Sequence, residues 1–230
     1  MIADMAQQET NQNSSDLGVR LVSTSLLLPP VLVAIFFGRP FFEILVLVAS
    51  AILVFELYRA CSGNIFWTIA GSTYIALAVI CILELRASTN YGSLTIYWLF
   101  GLVWSADIFA YIIGRKIGGP KIAPNLSPKK TWAGFFGAIL GATIIGLLVA
   151  IYLGKENNWQ LVVFSATLGV VSQIGDLLES WFKRRFGKKD MGSLIPGHGG
   201  LFDRVDGLLA ASIVCWLGQQ FSGEDLLIWL

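Results

Sequence analysis

From Ser180 to Asp206 the chain reads SWFKRRFGKKDMGSLIPGHGGLFDRVD, which sets Lys183, Arg184, Arg185, Lys188, Lys189, His198, Asp203, Arg204 and Asp206 between two apolar segments. Cations, carboxylates and glycines at 187, 192, 197, 199 and 200 in one short loop suit a phosphate and a metal ion together. Asp203 and Asp206 lie i,i+3 on one helical face, and Asp176, Ser180 and Lys183 lie i,i+4,i+7 on another, so carboxylates from two helices can meet. Hard oxygen donors with no accompanying Cys and a single His favour Mg²⁺ or a similar ion over zinc. The basic residues would neutralise phosphates that such an ion accompanies, and the glycines would let backbone N–H groups approach them. The competing explanation for Lys188 and Lys189 is the ordinary loading of positive charge on cytoplasmic loops.

A second loop, GRKIGGPKIAPNLSPKKTW from Gly114 to Trp132, carries the same theme. Ser127 before Pro128 predicts a helix N-cap followed by proline in the first turn. A helix N-terminus flanked by Lys129 and Lys130 is a ready anion site, although the same lysines also suit anionic lipid headgroups. Asp107 lies about two turns before the end of the preceding apolar segment.

The elements that hold these groups are membrane helices. The chain is 55% hydrophobic and 13% charged, with a mean hydropathy of +0.69, well outside the range of soluble domains. A spanning helix takes roughly 20 apolar residues, which predicts spans near 17–37, 40–58, 65–84, 93–113, 131–153, 159–182 and 201–221. Long apolar runs without period-two alternation exclude an outer-membrane barrel. The expectation is an all-α, polytopic integral membrane protein with about seven transmembrane helices.

Residues 1–16 are polar, with no Lys or Arg before Arg20, so they lack the basic start of a secretory signal and are expected to be a disordered tail. Residues 17–230 form a single transmembrane domain, with the chemistry confined to 107–206. Cys61, Cys81 and Cys215 form no CxxC pair and read as small apolar residues. With the N-terminus inside, Arg59, Arg115 to Lys130 and Lys183 to Lys189 fall on cytoplasmic connections, against only Arg39, Arg86 and Lys155 outside. Trp67, Trp132, Trp159 and Trp181 sit near proposed helix ends, as interfacial indoles do. This orientation puts Asp107, Asp176, Asp203 and Asp206 at one depth, where a carboxylate needs a cation, a partner or water.

The stretch from Ser180 to Asp206 matches the pattern SxxKRxxxxKDxGxxxPxHGGxxDRxD throughout and so resembles the phosphatidate cytidylyltransferases, or CDP-diacylglycerol synthases. QIGD at Gln173 to Asp176, DxxAYxxGRxxG from Asp107 to Gly118 and SPKKTW from Ser127 to Trp132 resemble the same family, so the likeness covers the C-terminal half to two thirds. Two departures stand out. Ala133 replaces an acidic residue common in the family, which leaves any duty of that carboxylate absent or moved. The chain is also short beside bacterial members with additional N-terminal helices.

The resemblance implies transfer from CTP to phosphatidate, giving CDP-diacylglycerol and pyrophosphate, with Mg²⁺ and room for a second cation. It assigns Asp176 and Asp203 to the metal, with Asp206 as a further ligand or support. It assigns Lys183, Arg184, Lys188, Lys189 and Arg204 to the triphosphate, and Ser127, Lys129 and Lys130 to the lipid phosphate. Asp107, Ser180 and Asp190 complete the substrate-binding set. His198 is read as a phosphate donor or loop organiser rather than a base, since a phosphomonoester with a second pKa near ~6 is already ionised. Glu179 is expected to support the lysines, and Glu56 is left structural. The resemblance further implies a homodimer in the cell's inner membrane, with the site facing the cytoplasm and no nucleic-acid partner. The alternatives are a CTP-dependent polyprenol or phytol kinase and an ion-coupled transporter, although a transporter would place its acids nearer the midplane.

Overall fold

The structure is a computed structural model that describes residues 29–155, 159–192, 199–223 and 225–229. Residues 29–37 are helical. There follow α1 (Phe41–Ala60), α2 (Ile65–Ala87), α3 (Gly92–Ile117), a hairpin of β1 (Lys121–Ala123) and β2 (Ser127–Thr131), α4 (Trp132–Tyr152), α5 (Trp159–Arg185), α6 (Phe202–Ser222) and α7 (Leu226–Trp229). Among the described residues the protein is all-α apart from this one hairpin. Five helices, α1 to α5, are long and apolar enough to cross a membrane. The sixth long helix, α6, matches the expected segment 201–221 but carries Asp203, Arg204 and Asp206 in its first two turns. Of the expected span 17–37, only 29–37 lies among the described residues.

The apolar ruler placed the helices well and their ends less well. α3 runs on to Ile117 and α5 to Arg185, taking Arg115, Lys116, Lys183, Arg184 and Arg185 into their last turns. Basic side chains there favour the negative end of the helix dipole while their stems remain against apolar surface.

Residues 127–131 depart from expectation. Ser127 is not a helix N-cap but the first residue of β2, paired with Ala123, while Lys121 pairs with Thr131. The cap is Thr131, whose hydroxyl accepts from Gly134 N at 3.1 Å. Pro128 tolerates this strand because a two-stranded hairpin leaves outer edges where no N–H is required.

Two apolar cores hold the bundle. One gathers Trp98, Leu99, Leu102, Leu161 and Leu168 of α3 and α5 with Ala138 and Ala142 of α4 and Cys215 of α6. The other joins Leu53 and Leu57 of α1, Ile75 and Ala78 of α2 and Leu209 of α6, and takes in Met191 and Phe202 from either side of the motif loop. All three cysteines are free and buried. The α5–α6 crossing matters most for the site. A Cβ on Gly175 would stand 2.9 Å from Asp206 O, and one on Gly207 would stand 2.6 Å from Ser172 Oγ. Small residues let two helix backbones approach closely, and here each glycine is the immediate neighbour of an acid, Asp176 or Asp206.

The two ends of the bundle are distinct. Lys188 Nζ donates to Arg59 O at 2.6 Å and Arg184 Nε to Leu126 O at 3.3 Å, so the connections carrying Arg59, the hairpin and the motif loop share one end. At the other end Arg86 donates to Ile35 O through Nε and Nη2, and Lys155 Nζ donates to Ile228 O at 3.0 Å.

Candidate functional site

The close crossing of α5 and α6 produces a cluster of carboxylates. Asp176 and Glu179, one turn apart on α5, and Asp206 on α6 bring one oxygen each within 4.8 Å of one another. Like charges so close are unfavourable unless a cation joins them, and two side-chain cations are at hand. Lys130 Nζ, from the end of β2, lies 2.5 Å from Asp176 Oδ2. Lys183 Nζ lies 2.8 Å from Glu179 Oε2 and 2.8 Å from Asp203 Oδ1. The neutralisation is incomplete, because Glu179 Oε1 is buried with no hydrogen-bond partner among the described residues. An orphaned carboxylate oxygen beside two others, with no sulfur or imidazole donor in the group, fits a hard divalent cation.

Asp203 does something different from its neighbours. Its carboxylate accepts from Lys183, from Met191 N at 3.1 Å and from Gly200 N at 2.9 Å, which ties together the two sides of the motif loop. The structure therefore groups Glu179, rather than Asp203, with Asp176 and Asp206. Asp107 joins from α3 by accepting from Gln173 Nε2 at 3.2 Å. Ser180 is buried beside Glu179.

Of the basic residues, Lys130 and Lys183 reach the cluster. Arg184 and Lys188 instead latch the loop: Arg184 donates to Leu126 O and Lys188 O, and Lys188 to Arg59 O. Lys129, Lys189, Asp190 and Arg204 are exposed around the cluster, and Ser127 is half-buried in β2. His198 and Gly197 lie outside the described residues.

On its sequence context Glu56 reads as structural. This α1 residue is 3% exposed, and its two carboxylate oxygens accept from Leu201 N at 3.0 Å and Phe202 N at 2.9 Å, at the start of α6. The available signals were spacing and rarity. Asp176 and Glu179 have the same i,i+3 spacing as Asp203 and Asp206, and Glu56 interrupts the apolar run LVFELY, where an ionisable residue calls for a partner.

A cavity of about 220 Å³ adjoins the cluster. Leu57, Trp67, Gly71, Tyr74, Phe182 and Phe202 form much of its wall, and Glu179 and Asp206 stand at its polar limit. It meets the outer surface of the bundle at Ala70, Leu178 and Trp181, all exposed. On the face of a membrane helix bundle, that surface meets acyl chains. Trp67 is braced by Trp181, Phe182 and Phe186, at ring separations of 5.7, 6.1 and 6.4 Å, with the Arg185 guanidinium 5.4 Å above its ring. The arrangement thus offers three oxygen ligands, flanking cations and an apolar recess open toward lipid.

A family model described as the cytidylyltransferase family matches residues 62–221. The phosphatidate cytidylyltransferase of Brucella abortus biovar 1 (strain 9-941) is 46% identical over 178 residues, 77% of this chain and 65% of the relative. The protein of that name from Rickettsia bellii (strain RML369-C) is 35% identical over 206 residues, 86% of this chain and 89% of the relative. That from Rickettsia conorii (strain ATCC VR-613 / Malish 7) is 32% identical over 215 residues, 90% and 93% of the two chains. The chain spans about 65% of the length of the Brucella relative.

Proposed function

The chain belongs to the cytidylyltransferase family, and on that premise we propose that it transfers the cytidylyl group of CTP to phosphatidate, giving CDP-diacylglycerol and pyrophosphate. The observation that carries this is the position of the Asp176, Glu179 and Asp206 cluster, with lysines on one side and a lipid-facing apolar recess on the other. Such a place suits a reaction between a hydrophilic triphosphate and a phosphate borne on a lipid.

In the reaction, a phosphatidate phosphate oxygen forms a bond to the α-phosphorus of CTP. The bond from that phosphorus to the bridging oxygen breaks, and pyrophosphate leaves with the electron pair. Both reacting groups are anionic, so the protein's work is alignment and charge neutralisation, without a protein nucleophile. Asp176, Glu179 and Asp206 would hold Mg²⁺, with room for a second cation. Bound there, the metal supplies charge stabilisation to the attacking and leaving oxygens. Lys130 and Lys183, on the carboxylates in this structure, would neutralise substrate phosphate beside them. Lys188, Lys189 and Arg204 border the side on which triphosphate would enter, and Ser127 and Lys129 the side of the hairpin. Asp203 keeps the loop closed, and His198 is assigned to substrate phosphate. The apolar recess receives the diacylglycerol part.

The site faces the cytoplasm in this proposal, because the basic connections share its end of the bundle. The protein acts in the cell's inner membrane as a homodimer, with residues 17–230 as one transmembrane domain.

The test is incubation of the purified protein with labelled CTP, phosphatidate and Mg²⁺, with both products identified. CDP-diacylglycerol and pyrophosphate in equal amounts are expected. Release of CDP with a phosphorylated lipid would mean γ-phosphoryl transfer, and no product with any lipid acceptor would overturn the proposal.

A further inference from the structure

The glycine-rich motif loop suggests a cradle of backbone N–H groups open to phosphate, yet among the described residues protein carboxylates take four of them. Leu201 N and Phe202 N donate to Glu56, while Gly200 N and Met191 N donate to Asp203. Leu201, at the N-cap of α6, has no side chain that can cap the helix. Its N-terminal cap comes from a residue 145 positions upstream of Leu201, on another helix. A carboxylate at a helix N-terminus meets both the unpaired N–H groups and the positive end of the dipole.

Two glycines make this reach possible. A Cβ on Gly192 would collide with Glu56 Oε1, and a Cβ on Gly200 would stand 2.8 Å from Glu56 Oε2. A second stitch ties α1 to the other side of the motif loop, since Lys188 Nζ, just past α5, donates to Arg59 O at 2.6 Å, three residues beyond Glu56. Asp206 is four residues past Phe202, so whatever fixes the first turn of α6 fixes the height and rotation at which Asp206 meets Asp176 and Glu179.

We propose that Glu56 is a positioning residue for the cation site: a resident anion on α1 that sets the register of α6, for which Gly192 and Gly200 leave room. The proposal rests on the assignment of the cation to Asp176, Glu179 and Asp206. Its test therefore reads cation binding directly, with Mn²⁺ as the probe, counted by electron paramagnetic resonance on detergent-purified protein.

Glu56→Ala should weaken Mn²⁺ binding about tenfold and lower kcat per folded molecule about 100-fold, the scale of an ångström-sized misplacement. The KM for CTP should move less. Glu56→Gln, which keeps one acceptor and turns an NH₂ toward an N–H, should weaken Mn²⁺ binding about threefold, as loss of part of a charged hydrogen-bonded pair does. Gly192→Ala should resemble Glu56→Ala, and the two together should be no worse than Glu56→Ala alone, because the added methyl then fills vacated space.

Mn²⁺ affinity and kcat within about twofold of wild type in Glu56→Ala would overturn the proposal, as would independent, additive losses in the double variant. If Glu56→Ala does not accumulate as folded protein, the isosteric Glu56→Gln carries the test, with unchanged Mn²⁺ affinity as the overturning result. Failure of wild-type protein to form CDP-diacylglycerol would remove the proposed reaction while leaving the Mn²⁺ measurements to judge Glu56.

Discussion

The two ends of the helix bundle treat charge in opposite ways. At the end holding Arg86, Lys155 and Asp225, Arg86 closes on the carbonyl of Ile35, Lys155 on that of Ile228, and Asp225 on Ser88 Oγ and Asn90 N. At the other end three carboxylates share one space, with Lys130 and Lys183 drawn in from two different elements to meet them. Net charge at a membrane boundary is therefore a poor guide to function. What distinguishes the two ends is whether the carboxylates are dispersed, as Glu43 with Arg39 and Asp225 with Ser88 and Asn90 are, or collected into one group.

The sharpest way to break this contrast is to remove one carboxylate at each end. Asp176→Asn and Asp206→Asn should each reduce CDP-diacylglycerol formation by about 10³-fold or more, on the scale of several kcal/mol of metal-borne stabilisation, with unchanged gel filtration. Asp225→Asn should leave activity within about twofold and cost about 1 kcal/mol of stability, the worth of an ordinary hydrogen bond. Comparable losses at both ends would show that the acid cluster is only structural.

Filling the apolar recess should have the next largest effect. Ala70 is an exposed residue at its mouth, so Ala70→Phe should obstruct the recess without disturbing a packed core. The KM for long-chain phosphatidate should rise about tenfold, equivalent to about two methylenes left unburied, and that for dioctanoyl phosphatidate much less. Equal changes for both lipids would place the acyl chains elsewhere.

Smaller shifts should separate the cations around the cluster. Lys188→Gln with Lys189→Gln should raise the KM for CTP about fivefold, as exposed charge pairs allow. Ser127→Ala with Lys130→Gln should act on phosphatidate at fixed surface concentration. If both variants shift both substrates equally, the loops form one coupled phosphate site.

The mildest test reads topology alone, whatever the variants do to activity. Cysteines at 118 and 190 should react with an impermeant reagent from the cytoplasmic side only, and one at 155 from the outside only. Labelling of 118 and 190 from opposite sides would break the two-ended description.

Hydropathy made the long helices legible because lipid demands an apolar surface whatever the neighbours are. It missed the hairpin because Ser-Pro fits two local structures equally well, and only pairing with Lys121–Ala123 decides between them. In the site, spacing along single helices pointed to Asp176, Asp203 and Asp206. The crossing geometry then grouped Glu179 with Asp176 and Asp206 and turned Asp203 to loop closure. Glu56 stood out only as an ionisable residue in an apolar run, with nothing to say what it meets. Its partners are backbone N–H groups, which carry no side-chain signature and lie 145 and 146 residues away.

That separation also has a consequence in time. At about 5–20 residues per second, a ribosome that has made Glu56 needs roughly 7–30 s more to reach its partners. Throughout that interval α1 must reside in the membrane with an uncompensated carboxylate. The burden is bearable because Glu56 falls in the last turns of α1, beside Arg59, where water can still hydrate it. Only arrival of the motif loop exchanges that water for two amide protons, so the acid cluster assumes its final form among the last events of the protein's biogenesis.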